Sequence, residues 1–266
     1  MLSRHDDVAA VLPVHTFGLP ARTDEIRVVV DRAARKRSKP ISVLYDAAHA
    51  LGSARGNRKI GTFGESEIFS LSATKVLVSV EGGIVSSRDL SLIERIRYMR
   101  NYGMEAKYQA NWPGLNGKMS EFHALIGLHN LRRLPEFISE RQRKARYYLN
   151  QIQTKTCYDV LHCPADVTQT FKDFVVLLPR AQAHRRDEIM AFLKQRGIET
   201  RAYFDPPLHQ QGFFWRFADR PLPHTDAAAR RVMSLPFYMT ITETEMDYVV
   251  HCLAEAQIDV RQSIAL

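Results

Sequence analysis

The stretch EIFSLSATKVLVSVEGGIV, residues 67–85, places a single lysine, Lys75, where a surface lysine does not ordinarily sit. Ser70, Ser72 and Thr74 precede it, Val76, Leu77 and Val78 follow it, and the run closes on Glu81-Gly82-Gly83. Apolar neighbours disfavour an ammonium and lower its pKa, which frees the amine for a Schiff base with a carbonyl compound. The plain alternative is a loop lysine in an odd setting. The tetrad SATK also matches the S-x-x-K of serine penicillin-recognising enzymes, with Ser72 as nucleophile. That chemistry needs S-D-N and K-T-G further on, and the chain contains neither.

Working outward, EIFSL and GGIVSS read as short strands on either side of the lysine loop. Upstream, ISVLY (residues 41–45) is a buried-strand run followed at once by Asp46. Before it, TDEIRVVVDRAARKR has Thr23 as a cap candidate and apolar Ile26, Val29, Val30 and Ala33 at helical spacing, with Pro40 ending the helix. This β-α-β order predicts an α/β fold, a mostly parallel sheet covered by helices. Ligands of such sheets bind past the carboxyl ends of the strands, where Asp46 sits. Asp46 could cap a short helix, or its carboxylate could face a cation. Asp46 and His49 are three apart, but no further cluster supplies the remaining ligands of a metal site, so no metal is expected.

Downstream the chain turns helical. DLSLIERIRYMRNYG has Asp89 as cap and Gly103 as stop, and MSEFHALIGLHNL puts Phe122, Leu125, Ile126 and His129 on one stripe with Ser120 as cap. PEFISERQRKARYYLNQI opens with Pro135 in a first helical turn. From about residue 154 the pattern restarts: FKDFVVLLP as strand, HRRDEIMAFLKQRG as helix closed by Gly197, IETRAYF as strand and TETEMDYVVHCLAEA as a last helix. The expected division is a large domain at 1–134, a connecting helix at 135–153 and a small α+β domain at 154–266.

The totals exclude several classes. With 266 residues, 45% hydrophobic and 25% charged, the chain has the composition of a globular protein with a real core. No apolar run approaches a membrane span, and Asp6 and Asp7 interrupt any signal-peptide core. Three cysteines, Cys157, Cys163 and Cys252, without C-x-x-C point to a reducing compartment, so a cytoplasmic protein is expected. The net charge of +8 raises nucleic acid as a partner. The two basic clusters, Arg32–Lys39 and Arg141–Arg146, fall on helices, where solvated faces are the ordinary reading. Neither is interleaved with aromatics, and no nucleic-acid-binding motif is present, so that reading ranks last.

Read together, Asp46 at a strand end, the hydroxyl-rich loop with Lys75, and Glu-Gly-Gly have the layout of a pyridoxal phosphate site. Such a cofactor needs an amine for its aldehyde, a carboxylate for its pyridine nitrogen, and hydroxyls or amides for its phosphate. PVHTFG, LYDAAHALGS, GTFGESEIFSLSATKVLVSVEGGIV, RNYG and GLNGKMSEFHALIGL occur in that order, and LPHTDAAARRVMSLPFYMTITETEMDYVV follows toward the C-terminus. In these blocks the chain resembles the DegT/DnrJ/EryC1/StrS aminotransferases, sugar-nucleotide transaminases of the type I pyridoxal phosphate fold. The lysine block and the Asn-x-Lys-Met-Ser-Glu block carry most of the likeness.

The resemblance implies roles at matching positions. Lys75 would be the Schiff-base lysine and proton shuttle, Asp46 the partner of the pyridinium nitrogen, and Ser70 a phosphate ligand. His49 stands where the family often has glutamine, beside the cofactor's phenolic oxygen. Asn116 would reach the phosphate of the partner subunit's cofactor in a homodimer. Lys118, Arg201 and Tyr203 would face the substrate. The reaction implied moves the amino group of an amino acid, glutamate, to a nucleotide-linked keto-sugar in polysaccharide or amino-sugar biosynthesis. The family's N-terminal portion, with a phosphate-binding turn and a ring-stacking aromatic, has no match here. The expectation is therefore a partial large domain, completed by further chain or a separate polypeptide. The alternative is a catalytically incompetent member that keeps only fold and dimer surface.

Overall fold

The computed structural model describes Leu2 and residues 7–262. Asp6, one of the two acids read against a signal-peptide core, and the last four residues of the expected small domain lie outside the described residues. Packing divides the chain into two units, Met1–Ser139 with Cys163–Lys172, and Glu140–His162 with Asp173–Leu266. This differs from the division read from sequence in two ways. The connecting helix expected at 135–153 is part of one helix, α3 (Glu121–Lys155), and Pro135, expected in a first turn, lies inside it. Proline cannot give an N–H to the carbonyl four residues back, so α3 forgoes one backbone bond there and the turns on either side carry it. Residues 163–172, expected in the small domain, belong to the first unit.

The first unit is built on a four-stranded sheet of β1 (Ala10–Val11), β2 (Ser42–Asp46), β5 (Ser66–Ser70) and β6 (Gly83–Ser87), in that order. β1 runs parallel to β2 and β2 to β5, while β6 returns antiparallel to β5. The period-2 pattern of β2 is visible in its packing: Val43 and Tyr45 are buried with Ile41 against Val30 of α1 (Thr23–Arg37). In β5, Glu67 and Phe69 are buried on one face and Ile68 is exposed on the other. Asp24 and Glu25 begin α1, and Arg35, Lys36 and Arg37 end it, as the helix dipole favours. Thr23 is not its cap. Thr23 is the first helical residue and is buried, Arg22 takes the cap position, and no side chain caps the helix. A small sheet of β10 (Val167–Thr168), β3 (Ala54–Arg55) and β4 (Arg58–Lys59) brings the later segment back to this unit.

Asp89 caps α2 (Leu90–Met99) as expected, its Oδ1 accepting the N–H groups of Ser91 and Leu92 at 2.9 and 3.1 Å. Gly103 lies beyond that helix at φ +74°, where an added Cβ would sit 1.8 Å from the Trp112 carbonyl oxygen. The hairpin of β7 (Met104–Ala106) and β8 (Gln109–Ala110) follows.

The second unit holds an antiparallel sheet in the order β12 (Val232–Leu235), β11 (Phe174–Leu177), β9 (Asp159–Val160). Its helices are the latter part of α3, α4 (Arg186–Gln195), α5 (Pro223–Ala229) and α6 (Glu243–Gln262). Tyr148 of α3 stacks on Phe174 at 4.5 Å, and Leu193, Met233, Val250 and Leu253 are also buried in this unit. IETRAYF, expected as a strand, makes a single bridge, Arg201 to Ser234. The Asp205 N–H closes a turn on the Ala202 carbonyl at 2.8 Å, so the chain bends away before a second pair forms. The two basic clusters also part company. Arg32, Arg35, Lys36 and Lys39 are exposed, but Arg141 and Lys144 are buried, against the solvated-face reading. α3 packs that side of its surface into the core. The Arg141 guanidinium lies over the Phe237 ring at 4.7 Å, and Lys144 Nζ donates to the Met239 carbonyl.

Candidate active site

Asp46 is the last residue of β2 and is half-buried. Its backbone is held by the N-terminal turn: Asp46 N–H donates to the Pro13 carbonyl, and His15 N–H donates to the Asp46 carbonyl, both at 2.9 Å. No helix follows it, so it is not a helix cap. Its Oδ1 instead accepts the Ala48 N–H at 2.9 Å, and among the described residues nothing else engages the carboxylate. One oxygen is thus available at the carboxyl edge of a parallel strand. His49 lies in the same turn, its ring nearly parallel to that of Phe17 at 6.4 Å.

β5 reaches the same edge. Asp46 pairs with Ile68, so Ser70 stands two residues beyond that rung. Ser70 Oγ lies 3.4 Å from both the N–H and the hydroxyl of Ser72, and Lys75 N–H closes a turn on the Ser72 carbonyl at 3.0 Å. Lys75 itself is half-buried. The loop is anchored on both sides of it. Leu71 and Leu77 are buried with Leu134 of α3. Ser79 is fully buried, its N–H donates to the Leu71 carbonyl at 2.8 Å and its hydroxyl to the His123 carbonyl at 2.6 Å. Asn130 Nδ2 donates to the Val78 carbonyl at 2.8 Å. The Glu-Gly-Gly closure has a steric cause: Gly82 has φ +147°, and a Cβ there would meet Met119 Cε at 2.4 Å.

Asp46, His49, Ser70 and Lys75 therefore come to one edge of one sheet. A carboxylate, an imidazole, hydroxyls and an amine placed there can hold an aldehyde cofactor that carries a basic ring nitrogen and a phosphate. Among the described residues, no three of His, Cys, Asp and Glu gather as a metal site would require. Asn116 and Lys118 are exposed in the same unit. Lys118 Nζ donates to Asn116 Oδ1 at 2.5 Å and lies 3.8 Å from the Tyr102 ring centre. Arg201 and Tyr203 belong to the second unit, where an Arg201 guanidinium N–H donates to the Tyr203 hydroxyl at 2.6 Å.

A buried group behind this edge escaped the sequence reading. Glu67 is 1% exposed and accepts N–H groups from Gly61 at 2.6 Å, from Phe63, and from Gly64 at 3.2 Å. His15, also fully buried, places Nε2 3.8 Å from Glu67 Oε2, too long for a hydrogen bond, and stacks on Tyr45 at 4.8 Å. Burial alone would raise the Glu67 pKa, but His15 and the three amides outweigh it and hold the carboxyl below its ordinary value. Burial pushes the Tyr45 hydroxyl up to about 12, against the opposing Arg27 charge. The available signal was an acid at a core-facing position of an apolar strand.

In α/β sheets ligands bind past the carboxyl ends of parallel strands, and here that edge carries a carboxylate and leads into a lysine loop. The DegT/DnrJ/EryC1/StrS aminotransferase family model matches residues 4–254, and the chain belongs to that family. Among relatives, a pleiotropic regulatory protein of Geobacillus stearothermophilus is 30% identical over 92% of this chain and 64% of its own length. A dTDP-4-amino-4,6-dideoxy-D-glucose transaminase of Shigella dysenteriae is 26% identical over 94% and 66%. Among solved structures, DesI, determined in the presence of its TDP-sugar product, superposes with a TM-score of 0.86. It is 33% identical and covers 97% of this chain and 64% of its own. The chain thus spans about two thirds of the length of these relatives. No helix among the described residues is long and apolar enough to cross a membrane.

Proposed function

We propose that this chain is a pyridoxal phosphate-dependent transaminase that moves the amino group of an amino acid, glutamate, to a nucleotide-linked keto-sugar. We place it in amino-sugar or cell-surface polysaccharide biosynthesis in the cytoplasm. The observation that carries the reading is the placement of Asp46 at the carboxyl end of β2 and Ser70 at that of the adjacent parallel β5, with the Lys75 loop following directly. Family membership and the likeness to a structure solved with a TDP-sugar product support it.

The bound cofactor would supply an electron sink for the carbanion formed at the substrate carbon. The uncommitted Asp46 oxygen would keep a proton on the cofactor's ring nitrogen. The Lys75 amine would hold the aldehyde and serve as the proton shuttle, the Ser70 hydroxyl would bind the phosphate, and the His49 ring would hydrogen-bond the phenolic oxygen. Asn116 is exposed next to the start of α3, where Phe122, Leu125 and Leu128 are also exposed. That apolar face supports a homodimer in which Asn116 serves the partner's site. In the first unit Lys118 is a cationic candidate for the substrate, and in the second unit Arg201 and Tyr203 are cationic and phenolic candidates.

The purified chain mixed with pyridoxal phosphate should develop a visible absorption band. Borohydride reduction and peptide mapping should then place the label on Lys75, and Lys75→Ala should abolish it. No band, or label scattered over surface lysines, would refute the reading.

A further inference from the structure

Residues 163–172 follow the long helix in sequence yet pack in the first unit. Their pairing with β3 ends at Thr168, and the residues just beyond reach the turns that bracket the candidate site. Thr170 is fully buried, and its hydroxyl donates to the His49 carbonyl at 2.8 Å. The hydroxyl of Ser53, also fully buried, donates to the Gly18 carbonyl at 2.7 Å and lies 3.3 Å from Thr170 Oγ1. Each hydroxyl has one hydrogen to give, so the two carbonyls use both. The backbone adds two bonds, Thr170 N–H to the Gly18 carbonyl at 3.5 Å and Lys172 N–H to the Phe17 carbonyl at 3.1 Å. The fit leaves no slack. Gly18 has φ +84°, and a Cβ there would fall 2.0 Å from Thr170 Oγ1 and 2.8 Å from the His49 carbonyl oxygen.

We propose that Thr170 is a positioning residue for the cofactor site. Through the His49 and Gly18 carbonyls it fixes the turn 15–18 against the turn 46–53, and with them the His49 ring against Phe17. The reading rests on the proposed function for what the site binds, but not for the positioning itself. A buried carbonyl that loses its donor carries a desolvation cost, so the turn will shift to find another. Valine keeps the shape of threonine and removes the hydroxyl, whereas serine keeps the hydroxyl.

The test compares the wild-type chain with Thr170→Val and Thr170→Ser. Without cofactor, NMR of the His49 ring should show altered ring chemical shifts and weakened contacts to the Phe17 ring in T170V, and wild-type signals in T170S. With pyridoxal phosphate, Kd should rise about tenfold in T170V, the scale of one lost buried hydrogen bond, and return to the wild-type value in T170S. Unchanged His49 signals in T170V overturn the proposal. If wild type takes up no pyridoxal phosphate at Lys75, the proposed function fails and the NMR comparison alone decides on Thr170. Should T170V not fold, T170A removes the same hydroxyl with less bulk and carries the same expectations.

Discussion

Asp46 and Glu67 stand on adjacent parallel strands, with Glu67 opposite Tyr45 and Asp46 opposite Ile68. One rung separates them, yet their surroundings differ in kind. Glu67 is sealed in, and both its oxygens take amides of the loop at 61–64. Asp46 sits at the open edge with one oxygen on Ala48 and the other uncommitted. A carboxylate whose acceptors are filled by its own backbone is architecture. One left half-satisfied where two parallel strands end is available to a ligand. Burial alone would single out Glu67.

Substitutions can break that contrast, beginning with function. Asp46→Ala should lower the proposed cofactor-dependent transamination by roughly two to four orders of magnitude, the scale of losing a proton-holding group. Its unfolding free energy should change by about 1 kcal/mol or less, since only a turn bond is lost. A stability loss as large as the activity loss would put Asp46 in the architectural class with Glu67.

Glu67→Ala should do the reverse. It leaves three part-buried amides without their acceptor and opens a cavity where the buried carboxylate was, for a loss of about 4 kcal/mol in denaturant unfolding. Glu67→Gln sharpens the point through pH. The folded carboxyl titrates below its ordinary value, so the ionised form is favoured by folding. Its stabilisation is present in full above the unfolded carboxyl pKa of about 4.3 and is lost as pH falls through the folded value. The stability gap between wild type and E67Q should therefore be constant near neutrality and close in acid. A gap independent of pH would mean that the charge of Glu67 contributes nothing.

The smallest expected effect concerns the basic clusters, where the same contrast recurs between cations. Burial drives the Arg141 pKa down to about 10, with the Asp173 charge opposing it, while Arg35 lies exposed in the last turn of α1. Arg141→Ala should cost about 3 kcal/mol in thermal or denaturant unfolding. Arg35→Ala should stay within about 0.5 kcal/mol of wild type. Equal effects would return both clusters to one class.

Local periodicity and capping made much of the fold readable. β2, β5 and β6 stand where the apolar runs ISVLY, EIFSL and GGIVSS lie, and Asp89 caps α2 as its position before the apolar pattern implies. The misreadings share a cause. A proline's own geometry favours a helix start at Pro135, yet α3 runs through it on the strength of its flanking turns. IETRAYF has strand composition, but composition does not reveal that β12 offers it only one pairing residue. Glu67 and Arg141 look like ordinary charges until the amides of residues 61–64 and the Phe237 ring are brought to them. Of the candidate site, the residue types at Asp46, Ser70 and Lys75 were legible, and so was their order.

The sequence by itself determined the chemistry available: an amine in a hydroxyl-rich loop, an acid at a strand end, and the family in which that pair recurs. Those features are local, set by a residue and its neighbours along the chain. Which acid stays open and which is sealed, which cations are solvated, and the return of residues 163–172 to the turn at His49 all come from contacts made in three dimensions. Burial and hydrogen-bond partners depend on segments distant in sequence, and no local pattern encodes the register in which they meet.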